Sequence, residues 1–181
     1  MIELSSERLL LRGWLAADRE PFAALNADPI VMRHFMQRLS RAESDELIDE
    51  IEEEFTREGW GLWALEERST GVFLGFTGLS RPPFEAHFTP NVEVGWRLAR
   101  HAWGRGLATE AARTAIAFGF NEVRLKEIVS FTAVGNERSR AVMRRLGMSY
   151  NPSDDFDHPD APEGHELRPH VLYRLRGHHD G

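Results

Sequence analysis

Alternating and helical hydrophobic patterns follow one another along the chain and divide it into strands and helices. A period of two predicts a strand, and apolar residues three or four positions apart predict an amphipathic helix. The sequence therefore predicts strands over residues 7–14, 60–65, 72–79, 92–98, 125–134 and 170–175. It predicts helices after Asp18, from Ser40 to Gly59, from Leu107 to about Phe120 and from Asn136 to Leu146. This order indicates a single α/β domain with a mixed sheet.

Capping residues support the predicted helix ends. Asp18 is expected to cap the first helix, and Ser40 with Glu43 has the spacing of a capping box. Gly147 is expected to end the last helix in the left-handed conformation.

Three segments between these elements are predicted to be irregular. Residues 81–90 contain three prolines and form a loop, whose Phe84 and Phe88 either lie exposed at a substrate mouth or anchor the loop. Residues 150–163 are acidic and irregular. The segment from Val31 to Leu39 links two helices and contains Phe35 among other apolar residues, which simple packing between helices would explain.

The stretch from residue 91 to 112 contains the candidate site. Residues 92–98 alternate between apolar and polar or small, and a helix begins at Leu107. Between them lies Trp103-Gly104-Arg105-Gly106, whose glycines permit a tight turn and close approach of a ligand to the backbone. The first amides of a helix have no intrahelical acceptor and lie at the positive end of its dipole. The stretch therefore predicts an anion site, most simply for a phosphate ester.

Two familiar phosphate-binding motifs do not fit this turn. The P-loop motif G-x-x-x-x-G-K-[S/T] is absent from the sequence. The dinucleotide-binding motif requires a third Gly or Ala where this chain has Thr109, and no acidic residue ends the strand predicted near residues 127–132.

The stretch instead resembles the acetyl-CoA loop, R/Q-x-x-G-x-G/A, of the GCN5-related N-acetyltransferases (GNAT family). The match lies at Gly106-Leu107-Ala108, and the surrounding residues 103–111 look most like the branch of ribosomal-protein N-terminal (alanine/serine) acetyltransferases. Trp103 stands where the family usually has Arg or Gln, which removes one side-chain ligand but leaves the backbone cradle. The resemblance covers nearly the whole chain.

This resemblance implies a fold and a set of cofactor-binding residues. The fold is a single-domain, mixed, mostly antiparallel sheet flanked by helices, with a splayed central strand pair that binds the cofactor. Acetyl-CoA is the implied acyl donor. Its pantetheine arm is expected at the backbone of Trp96, Arg97 and Leu98, and its diphosphate at Gly104, Arg105, Gly106, Leu107, Ala108 and Thr109. In the family the region that corresponds to Val31–Leu39 helps to form the acceptor wall.

A second segment, Asn136-Glu137-Arg138-Ser139, resembles the second cofactor motif of these enzymes. The resemblance implies that Asn136 binds the pantetheine arm and that Ser139 hydrogen-bonds the departing thiolate, so both are catalytic candidates. From the residues alone, an N-cap and an ordinary first-turn serine would explain them. Many relatives carry a tyrosine acid seven residues after the asparagine. Here that position is Met143, which favours Ser139.

The implied reaction is acyl transfer to an uncharged amine, with a backbone N–H near Leu98 polarising the carbonyl oxygen. An α-amine, with a pKa near ~7.7–8.0, loses its proton more readily than a lysine amine at ~10.4. The candidates for a base are Glu93 on the central strand and, in the C-terminal segment, Asp157, His158, Glu163 and His165. The sequence does not choose among them.

Composition and charge limit the remaining possibilities. The 181 residues contain no cysteine, so a covalent thiol route is excluded and direct transfer between bound substrates is favoured. Residues 97–145 carry ten Arg or Lys against four acids, a balance of +6, and the remainder carries −13. This polarity suits an anionic cofactor and an amine-bearing acceptor, although surface decoration would also explain it. The overall acidity of the chain disfavours nucleic-acid binding.

Neither a metal site nor a membrane-spanning segment is expected. His165 to His170 superficially resembles the zinc motif H-E-x-x-H, but it is one residue too long and Pro169 breaks the required helix. No apolar run approaches the ~18 residues of a membrane span, and there is no signal-peptide pattern, so a cytoplasmic protein is expected.

The sequence therefore predicts an acetyl-CoA-dependent N-acetyltransferase domain over residues 1–177, with a tail at 178–181. The acceptor is an amine on a small molecule or a protein N-terminus. A non-catalytic acyl-CoA-binding regulatory or partner module is the alternative, and acylation with a longer chain or at an oxygen is a third possibility. A homodimer is compatible with the sequence, which does not fix the oligomeric state.

Overall fold

A twisted sheet of nine strands forms the centre of the protein. The structure is a computed structural model and describes residues 2–177, so the predicted tail at 178–181 lies outside the described residues. The strands are β1 (Leu4–Ser5), β2 (Leu9–Arg12), β3 (Leu62–Glu67), β4 (Val72–Ser80), β5 (Val92–Leu98), β6 (Glu127–Ala133), β7 (Ser149–Tyr150), β8 (Phe156–Asp157) and β9 (Pro169–Arg176). Their order is β1-β2-β3-β4-β5-β6-β9-β7, with β8 paired to β9.

Four α-helices flank the sheet within residues 2–177. They are α1 (Arg19–Ala27), α2 (Arg41–Glu58), α3 (Leu107–Asn121) and α4 (Glu137–Arg145). The capping box of Ser40 with Glu43 is formed, and Gly59 ends α2 at φ 78°. These bounds confirm the predicted α/β domain with a mixed, mostly antiparallel sheet.

The strands β5 and β6 are the one parallel pair in the described sheet, and they separate soon after they meet. Their register joins only Val92 to Ile128 and Glu93 to Val129, and every other strand pair is antiparallel. Beyond Glu93 the two strands diverge and leave a gap, called the wedge below. The expected splayed central pair is therefore confirmed.

The two faces of the sheet at the wedge are covered differently. On one face, Leu79 of β4 and Ile128 of β6 abut Gly119 of α3, where a Cβ would lie 3.0 Å from each side chain. Because side chains alternate along a strand, Val94 also faces α3, whereas Glu93 lies on the opposite face. That opposite face of β5 and β6 is called the Glu93 face.

Two details of the N-terminal region differ from the prediction. The first strand is shorter than residues 7–14, since its ladder covers only Leu9–Arg12. Asp18 occupies the N-cap position of α1, but its side chain makes no capping bond. Its buried carboxylate instead accepts two hydrogen bonds from Arg12, at 2.7 and 2.9 Å, and one from the Leu15 N–H at 2.8 Å. The expected cap was wrong because both Asp18 carboxylate oxygens are engaged by the Arg12 guanidinium, a charge-assisted bidentate pair.

Candidate functional site

The turn before α3 presents a run of open backbone amides. Gly104 and Gly106 adopt φ values of 74° and 77°, a left-handed conformation that favours glycine. In residues 2–177 the N–H groups of residues 104–109 have no protein acceptor, and the backbone hydrogen bonds of the helix begin with Glu110 N–H to Gly106 C=O at 3.1 Å. Successive free amides at a helix N-terminus bind anions. The turn therefore fits the diphosphate that the family resemblance implies there.

Side chains from the segment between β1 and β2 fix this turn in place. Glu110, in the first turn of α3, accepts hydrogen bonds from the Ser6 hydroxyl at 2.7 Å and from Arg8 Nε at 2.7 Å. Arg8 Nη1 also donates to the Arg105 carbonyl at 3.0 Å, and the Arg105 side chain forms an ion pair with Glu67. Burial acts to raise the pKa of Glu110, but the bonds from Ser6 and Arg8 outweigh it and lower the pKa. Glu110 therefore stays charged and holds the turn against β2.

Trp103 makes two contacts that the sequence did not predict. Its indole Nε1–H donates to the Leu98 carbonyl at 2.8 Å, which ties the turn to the end of β5. The guanidinium of Arg138, on α4, stacks over the indole with 4.3 Å between the guanidinium carbon and the ring centroid. Period and motif could not reveal this pair, because its members lie on different elements.

The strand register shows which backbone groups of β5 face the wedge. Ala99 N–H donates to the Leu74 carbonyl, and in an antiparallel ladder the direction of these groups alternates from residue to residue. Arg97 therefore directs its N–H and C=O at Phe76 of β4, whereas Trp96 and Leu98 direct theirs toward the wedge. The roles predicted for the backbones of Trp96 and Leu98 fit this geometry, and the role predicted for the backbone of Arg97 does not.

Asn136 and Ser139 meet at the start of α4, on the side of the wedge formed by β6. The Asn136 Oδ1 accepts the Ser139 N–H at 3.3 Å, so the capping interpretation is correct. Asn136 Nδ2 donates to Thr132 Oγ1 at 2.9 Å and to Ser139 Oγ at 3.1 Å. Because Ser139 Oγ accepts this bond, its hydroxyl proton stays free to donate to another group. The cap thus orients Ser139 and does not compete with a chemical role for it.

Glu93 stands out among the proposed bases by its surroundings. It lies on β5 at the closed end of the wedge, where β5 and β6 still pair, and burial raises the pKa of its carboxyl to about 8. A Cβ built on Gly95 would have one neighbour within 4 Å, Glu93 Oε1 at 3.9 Å, so the space above Gly95 is open. A carboxyl with a pKa near neutrality beside open space has the properties of a general base.

Arg97 and the segment before α2 border the same face. Arg97 donates to Asn26 Oδ1 at 2.6 Å, its guanidinium lies 4.2 Å from the Phe35 ring, and burial lowers its pKa to about 10. Val31 is buried in the core, whereas the Phe35 side chain is 40% exposed. The Val31–Leu39 segment therefore combines the packing role with an exposed edge beside the Glu93 face.

An aromatic cluster closes the other border of this face. Phe84 and Phe88 pack edge to face against each other and contact Phe131 of β6 at 5.7 and 5.6 Å between centroids. They are loop anchors, and Phe88 is 5% exposed. His158 packs against Phe84, with 4.7 Å between the ring centroids.

The proposed bases in the C-terminal segment are less suited to the role. Asp157 is held by Arg168 at 2.9 Å, Glu163 is exposed, and His165 Nδ1 accepts the Leu167 N–H at 3.1 Å. Burial lowers the pKa of His158, and it lowers that of His170, which lies 4.8 Å from His158 between ring centroids, to about 4. Sequence reasoning considered His170 only as the end of the rejected zinc-like motif and as the start of a strand, and did not propose it as a base.

A cleft of about 880 Å³ opens beside the turn. Helix α1, the turn after β5 and Arg138 line it, and its basic members include Arg100 and His101. Residues 2–177 hold no group of three or more His, Asp or Glu side chains placed to bind a metal ion. None of the described helices has the length and apolarity to cross a membrane.

Comparison with known proteins places this geometry in context. Residues 8–149 match the family model described as Acetyltransferase (GNAT) domain. The Bacillus subtilis (strain 168) protein YkkB is 31% identical over 150 residues, which span 82% of this chain and 86% of YkkB. An Aspergillus fumigatus FsC-acetyl coenzyme A-N(2)-transacetylase is 32% identical over 96 residues, 51% of this chain and 40% of that protein.

A solved structure supports the same fold. The ribosomal alpha-N-protein acetyltransferase RimL, in complex with coenzyme A, superposes with a TM-score of 0.77. The match covers 97% of this chain and 98% of RimL. At 15% identity this likeness concerns the fold alone.

Proposed function

Since the chain belongs to the GNAT acetyltransferases, and is therefore an acyltransferase, we propose that it transfers an acetyl group from acetyl-CoA directly to an amine. The observation that carries this proposal is the run of open amides at residues 104–109, beside a wedge toward which Trp96 and Leu98 direct backbone groups. The transacetylase relative, whose name contains acetyl coenzyme A, supports the choice of donor.

The donor would be held by main-chain groups and by two side chains. The amides of residues 104–109 bind the diphosphate, and the backbones of Trp96 and Leu98 bind the pantetheine arm. Asn136 has a free lone pair on Oδ1 for the same arm, since one pair already accepts the Ser139 N–H. When bound, acetyl-CoA supplies an acetyl group activated as a thioester.

Residues around the wedge accept the proton, stabilise the developing oxyanion and assist the leaving group. The Glu93 carboxylate takes a proton from the acceptor ammonium and frees its lone pair for attack on the thioester carbonyl. An N–H of Trp96 or Leu98 donates to the oxygen on which negative charge develops. As the carbon–sulfur bond breaks, the nitrogen loses its second proton to the departing sulfur, and Ser139 donates its free hydroxyl proton in a hydrogen bond to that sulfur while it carries negative charge.

The acceptor that this site suits best is a protein N-terminal α-amine. With a pKa near ~7.7–8.0, an α-amine is close to the pKa of about 8 of Glu93, so little free energy is needed to move the proton between them. RimL, which shares the fold, is an alpha-N-protein acetyltransferase by name. The acidic balance of −13 outside residues 97–145 would attract a cationic N-terminus.

A panel of amines would test this function. Coenzyme A release from acetyl-CoA is measured with peptides that have a free N-terminus, with the same peptides blocked at the N-terminus but carrying a lysine, and with small amines. We expect fast release and an acetylated product with the free N-termini. Tight binding of acetyl-CoA without turnover on any amine would instead indicate the non-catalytic binding module. Turnover confined to small amines would contradict the protein N-terminus as the acceptor and would leave the proposed acetyl transfer standing.

A further inference from the structure

The contact between Arg138 and Trp103 lies at the entrance to the turn before α3. The indole is fixed by its hydrogen bond to the Leu98 carbonyl at 2.8 Å, and the guanidinium lies 4.3 Å from the ring centroid. A guanidinium stacked on an aromatic face keeps the N–H groups along its edges available. Trp103 thus holds a cation from α4 one residue before the first open amide, that of Gly104.

Arg138 lacks a carboxylate partner in residues 2–177, unlike Arg140 and Arg144 of the same helix. Arg140 and Arg144 pair with Glu137 at 2.8 and 3.6 Å. Within the described residues, no Asp or Glu oxygen lies within 4.0 Å of the Arg138 guanidinium, and the side chain is exposed. Burial lowers the pKa of His34, and the positive charges of Arg33 and Arg138 lower it further. The charge of Arg138 therefore acts across the cleft that Arg138 and Val31 both line.

We propose that Arg138, held by Trp103, binds the diphosphate of coenzyme A and replaces the side-chain ligand that Trp103 itself cannot supply. The inference rests on the proposed function and adds to it a ligand from a second element. An indole is a donor only, and its single N–H is already bonded to Leu98. The stacked guanidinium restores a charged donor at the mouth of the amide run. The anion site is thus built jointly by the turn and by the first turn of α4.

Calorimetric titration of the full chain with coenzyme A and with pantetheine, which lacks the diphosphate, tests this inference. Arg138→Gln removes the charge from an exposed position, so the fold is expected to persist. We expect this variant to bind coenzyme A about tenfold more weakly, the scale of one charge-assisted hydrogen bond, and pantetheine unchanged. Arg144→Gln removes an equal charge from the same helix and should leave both affinities unchanged. A Trp103→Leu background should abolish most of the difference that Arg138→Gln makes.

The outcomes separate this inference from the proposed function. If the unmodified protein binds coenzyme A and Arg138→Gln binds it equally well, the role of Arg138 is wrong and the proposed function stands. The role is also wrong if pantetheine binding falls by the same factor, or if Arg138→Gln costs as much in the Trp103→Leu background as alone. If the unmodified protein binds neither coenzyme A nor acetyl-CoA, the proposed function itself fails.

Discussion

The turn before α3 and the Glu93 face border the same wedge, but the chain encodes them in different ways. The turn consists of residues 103–109, contiguous in sequence, and its chemistry comes from backbone amides that two glycines expose. The Glu93 face combines side chains from β5 and β6, from the 81–90 loop and from the Val31–Leu39 segment. One region is a local motif, and the other is a product of the tertiary fold.

This difference explains how readily each region can vary. Any residue that preserves the backbone path leaves the turn able to bind a diphosphate, since the amides belong to every residue type except proline. A single substitution at Glu93 or Phe35, by contrast, changes the charge or shape of the Glu93 face. We therefore expect substitutions at the turn to affect donor binding and substitutions on the Glu93 face to affect acceptor turnover.

The largest expected effect comes from the turn itself. Gly106→Trp places a large side chain at φ 77°, where a non-glycine residue is strained, and beside the amides that bind the diphosphate. We expect coenzyme A binding, measured by calorimetry, to fall at least ~100-fold, since several charge-assisted hydrogen bonds are lost together. Gly59→Trp is the matched control, because Gly59 has nearly the same φ of 78° at the end of α2. Retained affinity in Gly106→Trp, or equal losses in both variants, would contradict the assigned diphosphate site.

The same contrast determines what the sequence could predict. The period of the apolar residues gave the elements, and the glycine turn gave the anion site, because both depend on residues that are adjacent in the chain. The expected cap at Asp18 was wrong, since its true partner Arg12 lies on a strand and is brought to it only by folding. The pKa of Glu93 and the stacking of Arg138 on Trp103 likewise depend on burial and on contacts between elements. No local sequence pattern indicates either property.

The second prediction concerns the Glu93 face and turnover. Glu93→Gln removes the proposed base, so we expect the rate at saturating substrates to fall about a hundredfold while coenzyme A binding is unchanged. In the unmodified protein the rate should rise with pH and level off above about 8, the pKa of Glu93. His170→Phe should retain this rise, since the pKa of His170 is about 4. A rate in Glu93→Gln equal to that of the unmodified protein across this pH range would show that Glu93 is not the base.

Glu93 also makes stability depend on pH in a defined direction. Its pKa rises from 4.5 to about 8 on folding, so between these values the folded state binds more protons than the unfolded state. The contribution of Glu93 to the free energy of unfolding is fully present below pH 4.5 and is lost as the pH rises through about 8. Urea denaturation of both forms across this range should show Glu93→Gln gaining stability relative to the unmodified protein as pH increases. A constant difference between the two forms would mean that the Glu93 carboxyl titrates normally.

The smallest of these effects is expected at Ser139, on the opposite side of the wedge. Its hydroxyl accepts from Asn136 and keeps its proton free, so Ser139→Ala removes one hydrogen bond to the departing thiolate and leaves the Asn136 cap formed by the backbone N–H. One such bond to a charged group corresponds to about a tenfold loss of rate with little change in coenzyme A affinity. Ser149→Ala, which removes a hydroxyl bonded to the Arg174 carbonyl away from the wedge, is the control. The loss should shrink when the acetyl group is supplied on a thiol of lower pKa, whose thiolate needs less stabilisation. An equal loss with both donors would mean that Ser139 acts by supporting the start of α4 and not on the sulfur.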